Sequence, residues 1–263
     1  MASYQDIGVE KTANYVGTIE IQRPPHNFFD MELIEHIATA MEAFDKDDGV
    51  RAVVLCAQGK SFCAGANSGD PNRQGEAAYS IDGKPISHLC QQAVRLMRIQ
   101  KPFVAAVHGA TIGGGLGVAC VADFRVTCPE VRFAANFTRL GFHPGFGLTV
   151  ILPELVGKNQ AELMFYTGRR VGGEEATRIG LANVCVPQDQ VRAEAVKLAT
   201  EIAECARLAI ISTRKTMRAD FADRFKAATD REQKEQTWLR DIEDFKEGVK
   251  ASSERRVANW KGR

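Results

Sequence analysis

Apolar residues along this chain follow two rhythms, one of period two and one close to period 3.6, and their alternation predicts an α/β protein. Residues 16–21, VGTIEI, alternate as a strand, and RPPHN stops it because Pro24 and Pro25 cannot donate to a ladder. Leu33, Ile37, Met41 and Phe44 then recur at helical spacing behind Asp30, a suitable N-cap, and RAVVLCA at 51–57 reads as a buried strand. Strand, helix, strand in that order predicts a right-handed parallel crossover. A polar run at 68–87, punctuated by Gly69, Pro71, Gly75, Gly83 and Pro85, predicts a long loop before an amphipathic helix at 88–99. FVAAV at 103–107 is a strand, FRVTC and VRFAAN are two more, and 137–157 is a glycine-punctuated, aromatic-rich connection. A helix at 160–167 and a turn, helix and strand follow, and the pattern is almost wholly helical from Asp189 onward. This divides the chain into a core over residues 1–190 and a helical region over 191–263 that packs on the core or on another subunit.

The strand at 103–107 feeds three consecutive glycines, Gly113, Gly114 and Gly115, and then the small-residue helix pattern LGVACVA. Three glycines are costly in backbone entropy, so the turn calls for positive φ or close approach of another group. Free N–H groups at a helix start attract an anion or a developing oxyanion. The dinucleotide fingerprint fails on spacing, since its last glycine would fall on Val118 or Cys120, and the phosphate loop fails because Leu116 replaces its lysine. No G-x-S-x-G elbow occurs. QGKSFCAGAN at 58–67 ends in a second small-residue turn, Ala64-Gly65-Ala66, also at the carboxyl end of a strand. Two such turns on neighbouring strands could aim two N–H groups at one oxygen.

Composition narrows the partners. A net charge of +1 over 263 residues gives no electrostatic reason to expect nucleic acid or an anionic membrane. Seven cysteines, odd in number and without a C-x-x-C pair, sit mostly in apolar runs and favour a reducing compartment. With no apolar span or leader pattern, a cytoplasmic protein without a metal centre is expected.

The ordered set SFCAGAN, HGATIGGGLGVACVADFRV, FAANFTRLGFHPGFG, LVGK, YTGRRVGGEEATRIGLAN and DFKEG, preceded by RPPHN, resembles the crotonase (enoyl-CoA hydratase/isomerase) superfamily over nearly the whole chain. The resemblance implies a ClpP-like fold of repeated ββα units with a C-terminal helical trimerisation region, as a homotrimer or a hexamer built from two trimers. It implies an acyl-CoA substrate, coenzyme A entering as part of that substrate and no separate cofactor. The thioester oxygen would sit between the N–H groups of Ala64 and Gly114. Gly65, Ala66, Asn67 and Gly113 would line the thiol end of CoA, with the adenine near RPPHN. Hydratases of the family use two glutamates, and the matching positions here are Gly117 and Phe137. Neither can move a proton.

Candidate substitutes are His143 and the loop residues Asp70, Glu76 and His88. His108 reads as a loop-orienting residue, Cys63 as a buried thiol, and Asn136 and Arg139 as binding groups; Lys250, Arg255 and Arg256 could face CoA phosphates. Expected activities are therefore enolate stabilisation by an enzyme filed as a hydratase or isomerase, or thioester hydrolysis, decarboxylation or C–C cleavage using His143 or a loop acid. A non-catalytic CoA-binding scaffold is the reading from another class.

Overall fold

The computed structural model describes residues 4–66, 79–81, 84–86 and 88–263. The first third contains β1 (Ile7–Lys11), β2 (Val16–Ile21), α1 (Met31–Lys46), β3 (Ala52–Ala57), β4 (Ser61–Cys63), the short pair β5 (Tyr79–Ile81) and β6 (Lys84–Ile86), and α2 (His88–Met97). The middle contains β7 (Phe103–Val107), β8 (Ala110–Ile112), α3 (Gly114–Val121), β9 (Phe124–Thr127), β10 (Arg132–Ala134), α4 (Leu148–Val156), α5 (Lys158–Thr167), β11 (Arg170–Val171), α6 (Gly173–Arg178) and β12 (Val184–Cys185). Four helices close the chain: α7 (Val191–Glu204), α8 (Arg207–Met217), α9 (Phe221–Leu239) and α10 (Glu243–Ser253).

Strands alternate between two sheets. The larger has the order β1-β2-β3-β7-β9-β12 and the smaller β11-β10-β8-β4. Each of β3–β4, β7–β8 and β9–β10 places one strand in each sheet before the chain turns to a helix, which is the expected ββα repeat. The expected parallel crossover joins β2 to β3 through α1, whose apolar stripe Leu33, Ile37, Met41 and Phe44 is buried and whose N-cap Asp30 accepts from the Leu33 N–H at 2.8 Å. Strand β7 is buried at every position, as its uninterrupted apolar run requires, and α7 covers the larger sheet with Val191, Ala195 and Ala199.

Several elements depart from expectation. β1 pairs antiparallel with β2 and had no clear pattern of its own, because only its first residue is buried. The smaller sheet is built from strands of two or three residues, too short to show a period. The connection at 137–157 holds α4, despite Pro153 inside it. Within the expected loop, β5 and β6 form an antiparallel pair.

Helix α3 is buried at all eight positions. Its carboxyl end is closed by arginines. Arg125, 1% exposed, donates from Nε to the Leu181 carbonyl at 2.6 Å and from Nη1 to the carbonyls of Ala122 at 2.7 Å and Ala119 at 3.4 Å. Arg218 reaches the Val121 carbonyl at 3.4 Å, and Arg214 and Arg218 pair with Asp123. Burial pulls the Arg125 pKa down, yet the last carbonyls of α3 present a partial negative charge that favours a cation. Arg125→Met strands these carbonyls without a donor, so a loss of about 2 kcal/mol or more is expected, read as a lower urea midpoint. An unchanged midpoint would remove this capping role.

Candidate active site

The two glycine-bearing turns lock into one another. Gly113 adopts φ 57° as the N-cap of α3, and its N–H donates to the Ala134 carbonyl at 2.8 Å, tying the turn to the end of β10. Gly65 adopts φ 90°, with its backbone so close to Ile112 that a Cβ would lie 2.9 Å from that carbonyl oxygen. A Cβ on Gly115 would fall well inside the carbonyl oxygen of Cys63. Glycine is therefore required for close approach, and the end of β4 is pressed against the start of α3. Leu116 and Gly117 donate back to the Gly113 carbonyl at 3.0 and 3.3 Å. The Gly114 N–H, at the first position of the helix, has no acceptor among the described residues.

The Ala64 N–H, expected as the second donor, is committed elsewhere: it donates to the His26 carbonyl at 3.0 Å. In the same stretch the Gly65 carbonyl accepts from the Phe29 N–H at 3.0 Å, and Asn27, wholly buried, donates to the carbonyls of Gln58 and Ser61. The RPPHN segment thus lies along the turn and consumes Ala64. Ala66 is exposed, and its N–H has no acceptor among the described residues. Asn67, Asp70 and Glu76 lie outside the described residues, and His88 opens α2.

Three phenyl rings close around the helix start. A Cβ on Gly114 would collide with the Phe29 ring, one on Gly113 would sit 3.7 Å from Phe137 Cζ, and one on Gly117 would meet Phe146 at 2.6 Å. Phe29 and Phe146 pack edge to face at 5.8 Å between centroids. All three are buried. The space that a side chain at position 117 would enter is therefore filled by Phe146. Asn136 Oδ1 lies 3.5 Å from the Gly113 Cβ position.

Phe146 owes its place to a strained turn. It adopts φ 62°, a left-handed conformation uncommon outside glycine, and Gly147 follows at φ 68°. Glu232 on α9, 2% exposed, accepts from the Gly147 N–H at 2.7 Å, the Thr149 N–H at 2.9 Å and the Thr149 hydroxyl at 2.6 Å. It thereby caps α4. Burial raises the Glu232 pKa, opposed by these hydrogen bonds and by the charge of His143. One helical turn further on, Gln236 donates to the His143 carbonyl at 2.9 Å.

Other candidates fall into structural roles. His143 Nδ1 donates to the Pro144 carbonyl at 2.8 Å, and its segment is held by α9. His108 bonds the Gly59 carbonyl through Nε2 at 3.0 Å. Burial pushes the Cys63 thiol up to about 12, which leaves it protonated and unreactive. Arg139 donates to the Thr167 carbonyl, and Arg256 pairs with Glu247 and Glu254. Among the described residues no group of His, Cys, Asp or Glu is arranged to hold a metal ion. Phe29, Phe146 and Glu232 carried no mark in the sequence, although the glycines flanking Phe146 were the available signal for a special turn.

The sequence pattern of the enoyl-CoA hydratase/isomerase family matches residues 11–263. A crotonyl-CoA hydratase from Syntrophomonas wolfei is 30% identical over 261 residues, covering 98% of each chain. A mitochondrial enoyl-CoA hydratase from Pongo abelii is 31% identical over 264 residues, covering 99% of this chain and 89% of that one. The crystal structure of an enoyl-CoA hydratase/isomerase from Pseudoalteromonas atlantica T6c superposes with a TM-score of 0.85 at 28% identity, over 98% of this chain and all of that one.

The raised pKa of Glu232 has a definite sign in stability. The folded state favours the protonated carboxyl, so the contribution of this group is complete below its ordinary value of 4.5 and is lost as pH rises through the folded value. Glu232→Gln removes that titration. The stability of the native chain relative to this variant is expected to fall as pH rises from 4.5, measured as urea midpoints at a series of pH values. A difference constant with pH would contradict the assignment.

Proposed function

The chain belongs to the enoyl-CoA hydratase/isomerase family and is an enzyme acting on acyl-CoA, and from that premise we propose that it holds a thioester enolate between the N–H groups of Gly114 and Ala66 without two-glutamate water chemistry. The observation that carries this reading is the interlocked pair of turns, in which the Gly114 and Ala66 N–H groups have no acceptor among the described residues. Preorganised donors at a site of developing negative charge lower a barrier because they need no reorganisation as the charge forms. The partial positive charge at the start of α3 acts in the same sense. Gly65 and Gly113 set the turn geometry in this reading.

Gly117 and Phe137 offer no proton transfer, and the phenyl rings beside them exclude water. This favours a second reading within the same site: an enolate formed by departure of a group, as in decarboxylation or C–C cleavage, which needs the donors but not the carboxylates. Thioester hydrolysis would need a base to activate water, and with Nδ1–H of His143 donated to the Pro144 carbonyl only its Nε2 could serve. The C-terminal helices are assigned to assembly as a homotrimer or hexamer. Supporting this, α8 buries no residue in the single chain and leaves Leu208 and Met217 more than two-thirds exposed. The buried free thiols Cys56, Cys63, Cys120 and Cys128 suit the cytoplasm.

The test combines calorimetry with a mass-spectrometric panel of thioesters. Binding of acyl-CoA is expected, with no acceleration of crotonyl-CoA hydration over buffer. For the thioester that does turn over, Ala66→Pro deletes one N–H and sets a ring carbon in its place, and a fall in rate of at least about 10²–10³-fold is expected. Rapid hydration of crotonyl-CoA would overturn the proposal. Tight binding with no product across the panel would favour the scaffold reading.

A further inference from the structure

Phe146 is the side chain that most changes the shape of the space beside α3. Its ring occupies the volume that any side chain at position 117 would enter, 2.6 Å from the Cβ position. It is braced edge to face by Phe29 at 5.8 Å, and both rings are buried. Burial and the Phe29 contact oppose a rotamer change, and its backbone is held too. The turn at φ 62° and φ 68° is clamped from outside the site by the Glu232 carboxylate through three hydrogen bonds to Gly147 and Thr149. Gln236 holds the same segment at His143. A bulky side chain in a left-handed turn is costly, and it persists only where the surroundings fix it.

We propose that Phe146 is a specificity-determining residue, an end wall that limits the acyl group to short chains such as acetyl, propionyl and butyryl, and that Glu232 is the positioning residue that keeps the wall in place. This rests on the acyl-CoA reading of the turns. The Phe137 and Phe146 rings lie against the Cβ positions of Gly113 and Gly117, on either side of the Gly114 N–H that would take the acyl carbonyl, and an acyl chain running that way would meet them. The wall is apolar, so it selects by size rather than by hydrogen bonding. Such a surface discriminates by roughly 10–200-fold for each methylene that it admits or refuses. Because the bracing carboxylate lies on α9, far along the chain from the turn, the acyl end is set by the C-terminal helices as well as by the core.

The experiment measures dissociation constants by calorimetry for free CoA and for a series of saturated acyl-CoAs from acetyl to octanoyl, with the whole protein and three variants. The native chain is expected to bind the short members and to weaken sharply at hexanoyl. Phe146→Ala is expected to tighten hexanoyl-CoA by at least about tenfold while leaving free CoA unchanged. Phe146→Leu, which keeps an apolar filling and serves if the alanine variant does not fold, should give an intermediate profile. Glu232→Ala should shift the profile in the same direction, a change that loss of stability alone would not produce. A length profile unchanged in both Phe146 variants overturns the wall. A shift in the Phe146 variants with none in Glu232→Ala overturns the positioning role. Failure of the native chain to bind free CoA and every thioester overturns the acyl-CoA reading and the wall with it.

Discussion

A helix buried from end to end cannot leave its terminal backbone groups to water, and α3 resolves this constraint differently at its two ends. At the carboxyl end, Arg125 and Arg218 reach the carbonyls of Ala119, Val121 and Ala122, and Asp123 balances part of that charge. At the amino end the glycine turn closes on itself through Gly113 and leaves the Gly114 N–H without an acceptor among the described residues. The negative pole is neutralised inside the protein while the positive pole is left free for something that arrives from outside. The two sheets, the interlocked turns and the arginines from α8 and its neighbourhood all serve that asymmetry.

The same arrangement explains what could be read from the sequence. Strand, triple glycine and small-residue helix were legible because local chemistry dictates them: only glycine tolerates the φ at Gly113 and the contact at Gly115. The large sheet was legible for the same reason, since β3 and β7 are continuous apolar runs. Strands of two or three residues carry no period, so of the smaller sheet only β10, inside VRFAAN, was legible. The bond made by the expected donor, the Ala64 N–H, could not be read locally because it goes to a distant partner, the His26 carbonyl. Which N–H of Ala64-Gly65-Ala66 stays free depends on where the His26 carbonyl lies, and that is a tertiary fact. The phenyl cluster was hidden similarly, since Phe29, Phe137 and Phe146 meet only through the fold.

At position 117 the absence of a side chain is matched by packing. Replacing a carboxylate with glycine would leave a void, and protein interiors seldom keep one. Here the void is occupied by Phe146, held by a strained turn whose cost is borne by the Glu232 clamp. The polar investment has moved from the reacting centre to its support, where a buried carboxylate orders backbone rather than protons.

The mutual contact of the Cys63 carbonyl with Gly115 and of the Ile112 carbonyl with Gly65 has a consequence for inheritance. The two turns form one rigid body made of main chain, so the geometry of the donors is insulated from drift in the side chains around them. A lineage carrying this fold can exchange side chains at 117, 137 and 146 while the main-chain body of the two turns passes on intact. Its shape is stored in the backbone, and the lining of the space beside it in a few replaceable positions.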